Sequence, residues 1–343
     1  MYKQTLKAIM ALLFSGSATI GLAGNDTMLL HSGWKFRQAG HSEWHPATVP
    51  GVVHTDLMDN GLIEDPYYRL NERSLQWIDK EDWIYEVSFD AGALTRGYEH
   101  IRLEFLGLDT YADVFLNETQ ILTADNMFRR WAAEVKPLLK ERGNVLRIYF
   151  HSPIKKALPQ YESLPYRYEA WNDQADNGGL AGKKLSPFTR KAGYHYGWDW
   201  GPRLVTSGIW RPVKLQGWNS LRLEDVFHRQ LEVSQETARV ETQVEIEAAA
   251  PVENAVITVS DGKRVLGSRS VQLHVGMNRV SVPFTIDNPK LWWCRGMGEP
   301  YLYTFRTAVE QGGRVLAGHS TQVGLRSVTV EKKPDAYGRS LRF

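Results

Sequence analysis

The stretch Val240-Glu241-Thr242-Gln243-Val244-Glu245-Ile246-Glu247 decides the class of fold. Every second residue is β-branched, and the residues between them are charged or carry an amide. A period of two places these sets on opposite faces of a β-strand, one buried and one exposed to solvent. The same period recurs in three other rows of apolar residues: Trp83, Tyr85, Val87 and Phe89; Ile101, Leu103 and Phe105; Leu146, Ile148 and Phe150. Helical patterns are short, the clearest at residues 54–60, so the sequence predicts an all-β fold.

The spacing of turns divides the chain near Trp218. Before this residue, strand patterns are separated by long aromatic-rich loops, notably residues 158–182. After it, turns such as Asp261-Gly262 and Gly312-Gly313 separate short strands at intervals of about ten residues, which is typical of an immunoglobulin-like sandwich. We therefore predict a first domain at residues 24–218 and an immunoglobulin-like β-sandwich at residues 219–327, with residues 328–343 beyond it.

The charge balance argues against nucleic acid as a partner. The chain of 343 residues has 41 basic and 39 acidic side chains and a net charge of +2. It contains no basic run of five or more residues, which a nucleic-acid-binding surface would favour. The single cysteine, Cys294, cannot form an internal disulfide.

The sequence predicts neither a metal nor a cofactor. His54 and His195 have no partner at the spacing of metal ligands. Residues 172–178 resemble a calcium loop, but Ala175 takes a ligand position and Lys184 the position of the closing acid, so an acidic turn is the better interpretation. The chain also has neither a Gly-x-Ser-x-Gly elbow nor a phosphate loop.

The N-terminus is typical of a signal peptide. Lys3 and Lys7 precede an apolar segment at residues 8–14, and small residues follow at Gly21-Leu22-Ala23. We therefore predict a signal peptide at residues 1–23 and export to the periplasm or the extracellular space. The apolar segment is too short to cross a bilayer, and no later segment qualifies, although an N-terminal membrane anchor is the alternative. Sequons at Asn25 and Asn117 matter only in a host that glycosylates.

Residues 193–203 read Gly-Tyr-His-Tyr-Gly-Trp-Asp-Trp-Gly-Pro-Arg and form the candidate site. An acid between two indoles suits a sugar, because the rings cover its apolar C–H faces while the carboxylate accepts hydrogen bonds from hydroxyls. The candidate substrate-binding residues are Trp198, Asp199 and Trp200. The alternative is a rigid turn whose aromatic rings cover the edge of a sandwich.

The chain resembles the N-terminal part of the β-mannosidases of glycoside hydrolase family 2. The resemblance covers nearly everything after residue 23 and rests on motifs that occur in order: Gly33-Trp34-Lys35-Phe36, Val49-Pro50-Gly51-Val52-Val53-His54-Thr55-Asp56-Leu57, Asp65-Pro66-Tyr67-Tyr68, Asn71-Glu72, Trp77-Ile78, Asp82-Trp83, Gly107-Leu108-Asp109-Thr110-Tyr111-Ala112, residues 194–202, Asn288-Pro289, Leu291-Trp292-Trp293, Gly298-Glu299-Pro300-Tyr301-Leu302-Tyr303 and Gly324-Leu325-Arg326.

This resemblance implies a galactose-binding-like jelly-roll sandwich followed by the immunoglobulin-like β-sandwich. In the family a (β/α)8 barrel comes third and carries both catalytic carboxylates, a retaining pair about 5 Å apart. We interpret residues 328–343 as a truncated lead-in to such a barrel, so no catalytic residue is assigned, and Asn71-Glu72 is expected to be structural. The resemblance further implies that Asp199 binds sugar hydroxyls and that Trp198 and Trp200 shape one wall of the pocket.

Three functions remain open at this point. The first is the N-terminal region of a retaining exo-β-mannosidase acting on terminal non-reducing β-D-mannose, inactive by itself, with a barrel domain as its missing partner. The second is a stand-alone exported carbohydrate-binding protein that binds a β-mannoside or a mannose-terminated glycan. The third is an exported structural or adhesion scaffold.

Overall fold

The structure, a computed structural model, describes residues 26–342. The signal peptide predicted at residues 1–23 and the sequon at Asn25 lie outside the described residues. The chain divides into two compact units, one formed by residues 26–218 and the other beginning at Asn219.

The first unit consists of two antiparallel sheets. The ten strands are β1 (Asp26–Leu29), β2 (Lys35–Gln38), β3 (His45–Pro46), β4 (Trp83–Phe89), β5 (His100–Phe105), β6 (Tyr111–Leu116), β7 (Thr119–Ala124), β8 (Trp131–Glu134), β9 (Asn144–His151) and β10 (Val213–Trp218). One sheet has six strands in the order β3-β2-β4-β9-β6-β7, and the other has four in the order β1-β10-β5-β8.

The core of this unit contains the alternating rows that the sequence predicted. The side chains of Trp83, Tyr85, Val87 and Phe89 in β4 are buried, as are the apolar rows of β5 and β9. The other face of β4 differs from the expectation, because Ile84 and Glu86 are buried as well. Alternation gives the face of a strand but cannot show what covers that face.

Four short helices accompany the sheets: Val53–Asp59, Asn71–Ser74, Gly92–Gly97 and Pro153–Ser163. Single 3-10 turns lie at Ile78–Lys80, Lys136–Leu138, Ser186–Phe188 and Gly193–Tyr196. The predicted helix at residues 54–60 begins one residue earlier, and Gly61 follows it with a φ of 69° that favours glycine. Within residues 26–342, no helix is both long and apolar enough to cross a membrane.

The helix Pro153–Ser163 occupies the start of the segment that the sequence predicted as a loop from residue 158. The Ser152 hydroxyl caps it by accepting a hydrogen bond from the Lys155 N–H at 3.1 Å, and Pro153 occupies its first turn. Ile154 and Ala157 pack in a small separate core with Tyr196. This packing and the cap offset the lost hydrogen bond at Pro159 within the helix.

The second unit is a sandwich of two antiparallel sheets built from β11 (Leu221–Val233), β12 (Thr237–Ala248), β13 (Val252–Asp261), β14 (Arg264–Leu273), β15 (Gly276–Asp287), β16 (Tyr303–Gln311) and β17 (Arg314–Val323). One sheet has three strands in the order β11-β12-β15, and the other has four in the order β14-β13-β16-β17. The β-branched residues of the decisive stretch are buried in β12 as predicted. Both units thus confirm the all-β sandwich prediction.

The segment interpreted as a barrel lead-in forms an antiparallel hairpin of β18 (Glu331–Asp335) and β19 (Gly338–Arg342). All five residues of β18 are exposed to solvent.

Candidate functional site

A cavity of about 790 Å³ opens in the first unit. Two distant parts of the chain form its wall: the helix Val53–Asp59 with the loop at residues 65–67 that soon follows it, and residues 194–206. The fold therefore brings the candidate segment of the sequence against two segments that sequence reasoning had not connected with it.

The two tryptophans of the candidate segment line the mouth of this cavity. Trp198 is 36% exposed and Trp200 is 83% exposed, and their ring centroids lie 5.7 Å apart at an interplanar angle of 66°. Tyr67 and Tyr194, which are also exposed, line the same cavity. Exposed aromatic faces around an opening are suited to stack on the C–H faces of a sugar.

Asp199 is exposed between the two tryptophans. The wall that the described residues form does not include it. The structure thus brings Trp198 and Trp200 together on the cavity and leaves the intervening carboxylate exposed outside the wall.

A hydrogen-bonded turn presents both indoles. Trp198 and Gly201 exchange backbone hydrogen bonds of 3.3 Å in each direction. The side-chain amide of Gln174 donates to the carbonyl of Trp198, and its backbone N–H donates to the carbonyl of Tyr196 at 2.8 Å. At Gly197, φ is 106° and a Cβ would lie 2.6 Å from Cγ of Gln174. Glycine is therefore required where the chain passes this amide.

Arg203 anchors the other end of the segment. Its side chain is buried and donates from Nη1 to Asp79 Oδ2 and to Gln76 Oε1, both at 2.6 Å. Its backbone N–H donates to Glu72 Oε1 at 2.7 Å. Burial raises the pKa of Asp79, and the Arg203 guanidinium opposes that rise. Glu72 thus has the structural role expected for the Asn71-Glu72 pair.

A buried polar cluster supports the cavity wall from behind. The ammonium of Lys191 pairs with the carboxylate of Asp109, and both side chains are buried. The Thr206 hydroxyl donates to Asp109 Oδ2 at 2.6 Å and lies 3.1 Å from His195 Nδ1. Because its proton goes to Asp109, the hydroxyl must accept from Nδ1–H, which assigns the tautomer of His195 and leaves Nε2 as an acceptor.

Two neutral imidazoles line the cavity. Burial lowers the pKa of His54 to about 4, and the charges of Lys191 and His195 act in the same direction. Burial and the Lys191 ammonium likewise lower the pKa of His195 to about 4. His54 is only 6% exposed, and its Nδ1 has no hydrogen-bond partner among the described residues. At neutral pH both imidazoles are therefore uncharged donors and acceptors beside aromatic faces, which suits a hydroxylated ligand.

Sequence reasoning considered His54 and His195 only as metal ligands and missed their place in this cavity. Across residues 26–342, no group of three or more His, Cys, Asp or Glu side chains is arranged to hold a metal ion. Tyr67, Tyr194 and Thr206 were missed too. The one indication in the sequence that these residues are functional is that His54 and Tyr67 belong to motifs of the family resemblance. Motifs alone do not show that the side chains line one cavity.

Comparison with protein families gives two matches. Residues 34–211 match the glycosyl hydrolase 2 galactose-binding domain-like family, and residues 221–326 match glycosyl hydrolases family 2.

Comparison with individual proteins points to the same group. The chain is 33% identical to beta-mannosidase B of Aspergillus terreus over 92% of its own length and 36% of the relative's. It is 35% identical to beta-mannosidase B of Thermothelomyces thermophilus over 89% of its own length and 35% of the relative's. The crystal structure of a beta-D-mannosidase from Dictyoglomus thermophilum matches with a TM-score of 0.79 and 37% identity over 92% of this chain and 38% of that one. The chain spans about a third of the length of the curated relatives it matches.

An exo-chitosanase from Amycolatopsis orientalis shares the fold, with a TM-score of 0.67 at 17% identity over 92% of this chain and 35% of that chain.

Proposed function

The chain belongs to glycosyl hydrolases family 2, and from this premise we propose that it is the N-terminal region of a β-mannosidase, in which it forms one wall of the pocket for a terminal β-D-mannose. The observation that carries the proposal is the cavity of the first unit. Its mouth is formed by Trp198 and Trp200, and its interior carries the neutral imidazoles of His54 and His195.

The composition of the wall supports binding rather than hydrolysis. A retaining glycosidase needs two carboxyl groups about 5 Å apart. Asp65 is the one carboxylate in the cavity wall that the described residues form, and its Oδ1 accepts the backbone N–H of Tyr67 at 2.9 Å. We therefore assign these residues to holding and orienting the sugar, and none of them to the bond-breaking step.

Within this proposal the three candidate substrate-binding residues have two roles. Trp198 and Trp200 cover the C–H faces of the mannose, and the exposed carboxylate of Asp199 accepts hydrogen bonds from its hydroxyls. Because an open cavity buries only part of a ligand, we expect affinity in the millimolar range for this chain.

The test is a saturation-transfer NMR titration of the chain with methyl β-D-mannoside. We expect transfer to the sugar C–H protons, and we expect Trp200→Ala and Asp199→Ala to reduce it strongly. Trp171→Ala is the matched control, because Trp171 is an equally exposed tryptophan outside the cavity wall. Equal transfer in the Trp200→Ala and Trp171→Ala variants, or no transfer to the unaltered chain, would contradict the proposal.

A stand-alone carbohydrate-binding protein is the less favoured function, because the relatives that match along most of this chain are named β-mannosidases. We also propose that the protein is exported, on the basis of the charged and apolar pattern at residues 3–23. N-terminal sequencing of the mature protein tests this, and a mature protein that retains residues 1–23 would contradict it.

A further inference from the structure

A second concave site lies on the six-stranded sheet of the first unit. It is a groove of about 730 Å³ on the sheet face that points away from the hydrophobic core. None of its lining residues lines the cavity of the tryptophans.

Ile84 and Glu86 lie in this groove and are buried although they belong to the outer face of the sheet. Both residues alternate in β4 with core residues, so their side chains point away from the core. Each is nevertheless only 7% exposed. The β6–β7 turn with Glu118 and the segment before β9 with Lys140 and Gly143 line the groove with them and form its walls.

The strand register arranges the floor in two rows. In one row, Glu86 lies between Lys35 on β2 and Arg147 on β9. In the next row, Ile84 lies between Arg37 on β2 and Tyr149 on β9. Side chains that face each other on neighbouring strands are close enough to touch, so each row forms a continuous surface. A ligand in the groove would contact both rows.

The one buried carboxylate of the floor is already satisfied. Glu86 Oε1 lies 2.9 Å from Lys35 Nζ, and Oε2 lies 2.8 Å from Arg147 Nη2. Burial alone would raise the pKa of Glu86, but the hydrogen bonds from Lys35 and Arg147 lower it below its usual value. This carboxylate stays ionised and has little capacity left for ligand hydroxyls.

The cations around it keep unused donors. Arg37 stacks on Trp44, with its Cζ 4.8 Å from the ring centroid, and its Nη1 donates to the His41 carbonyl. Among the described residues neither Arg37 nor Lys140 has a carboxylate partner, and the Arg147 side chain is 47% exposed. Three cations, Arg37, Lys140 and Arg147, line the groove beside two carboxylates, the paired Glu86 and the exposed Glu118 on the β6–β7 turn. Positive charge and unused donors therefore predominate, which complements an anion.

The groove also offers apolar surface. The rings of Phe115 and Tyr149 line it and are partly exposed, and the Tyr149 hydroxyl is fixed by donating to Asp82 Oδ2 at 2.9 Å. Ring faces beside guanidinium groups suit a sugar ring that carries an acid, because its C–H face and its carboxylate are recognised by different neighbours.

We propose that this groove binds an acidic saccharide, with the sugar carboxylates held by Arg37, Arg147 and Lys140 and the ring faces against Phe115 and Tyr149. This site goes beyond the mannoside pocket and does not rest on it.

The experiment is a calorimetric titration of the full chain with trigalacturonate and, at the same salt concentration, with neutral mannotriose. We expect heat of binding for trigalacturonate alone. Arg37→Gln and Lys140→Gln should each weaken binding by roughly tenfold, because each removes a charged hydrogen-bond donor. Lys263→Gln, at an exposed hairpin turn of the second unit, is the matched control and should change nothing. Lys140 is exposed, so its variant reports on binding even if Arg37→Gln disturbs folding.

Three results would overturn the proposal: mannotriose binding as tightly as trigalacturonate, tetraglutamate binding as tightly, or the Lys140→Gln and Lys263→Gln variants behaving alike. No binding of trigalacturonate would overturn it as well. Inorganic phosphate is added as a competitor to show whether the anion alone is recognised. If phosphate displaces trigalacturonate at equal concentration, the groove recognises an anion and the assignment to a saccharide is wrong. Trp200→Ala should retain full binding of trigalacturonate, which separates failure of this site from failure of the mannoside pocket.

Discussion

At the scale of single residues, Asn117 shows how a sequence motif acquires its meaning from the fold. It forms part of a sequon, yet its φ of 49° places it in the tight turn between β6 and β7. Its amide donates to the Leu138 carbonyl at 2.8 Å and to Asn144 Oδ1 at 3.1 Å, while its Oδ1 accepts from the Val145 N–H at 2.9 Å. The side chain thus fastens this turn to the segment that leads into β9.

We predict that Asn117→Ala lowers the free energy of unfolding by about 1–3 kcal/mol, because the buried Asn144 and the half-buried Leu138 and Val145 lose their hydrogen bonds. Urea denaturation followed by circular dichroism measures this. Thr119→Ala is the control, because it removes the sequon and keeps the amide. Equal stability of the two variants would contradict the structural role.

Arg203 gives a second prediction at this scale. Arg203→Met leaves the buried Asp79 carboxylate without its cation, so we expect a loss of about 3–5 kcal/mol in unfolding free energy. The double variant Arg203→Met and Asp79→Leu should recover much of that loss, because it leaves no unpaired charge. A double variant as unstable as the single one in thermal unfolding would show that the arginine acts through packing instead.

At the scale of elements, the turn that carries the tryptophans depends on Gln174. Its amide and backbone hold the carbonyls of Trp198 and Tyr196, and Gly197 leaves room for its side chain. The residue lies outside residues 193–203, so no pattern within the candidate segment indicates it.

We predict that Gln174→Ala weakens binding of methyl β-D-mannoside by roughly tenfold with little loss of stability, because one hydrogen-bonded restraint on the indoles is lost. Comparing NMR titrations with thermal unfolding distinguishes this from general destabilisation. Gln160→Ala, on the helix Pro153–Ser163, is the control. Unchanged binding in Gln174→Ala would show that the turn holds its shape without this contact.

The strands also show how much of the structure could be predicted from the sequence. Periodicity predicted the buried rows of β4, β5, β9 and β12, because alternation of apolar and polar residues determines the face of a strand. It could not predict that Ile84 and Glu86 are buried, since the strands β2 and β9 that flank them are distant in the sequence. The same limit applies to prediction of the candidate site. Residue types indicated Trp198 and Trp200, whereas His54 becomes part of the cavity only through the fold.

At the scale of the whole molecule, three histidines with lowered pKa values couple stability to pH. Burial lowers the pKa of His54, His195 and His228 to about 4, whereas unfolded histidine titrates near 6.5. Below pH 6.5 the unfolded chain therefore binds protons that the folded chain does not. Asp56 and Asp79 act in the opposite sense, because burial raises the pKa of both, that of Asp56 to about 6, and their protonated forms favour the folded state at low pH.

We predict that the free energy of unfolding falls as the pH is lowered from 6.5 towards 4, because three imidazoles outweigh two carboxyl groups. His54 alone contributes up to about 3 kcal/mol to this fall. Urea titrations at pH 7.5, 6 and 5 measure it, and His54→Gln should flatten the dependence. Constant or rising stability on acidification would contradict the expectation.

The exposure of Trp200 has a thermodynamic consequence. With 83% of its surface in water, the indole keeps on the order of 170 Å² uncovered. At about 25 cal/mol per Å², any surface that covers it gains roughly 4 kcal/mol, half the binding free energy of a micromolar complex. Association also costs translational, rotational and side-chain freedom, so only part of this gain remains as binding free energy. The exposed indole of Trp200 therefore favours association of this chain with an apolar surface that fits over the ring.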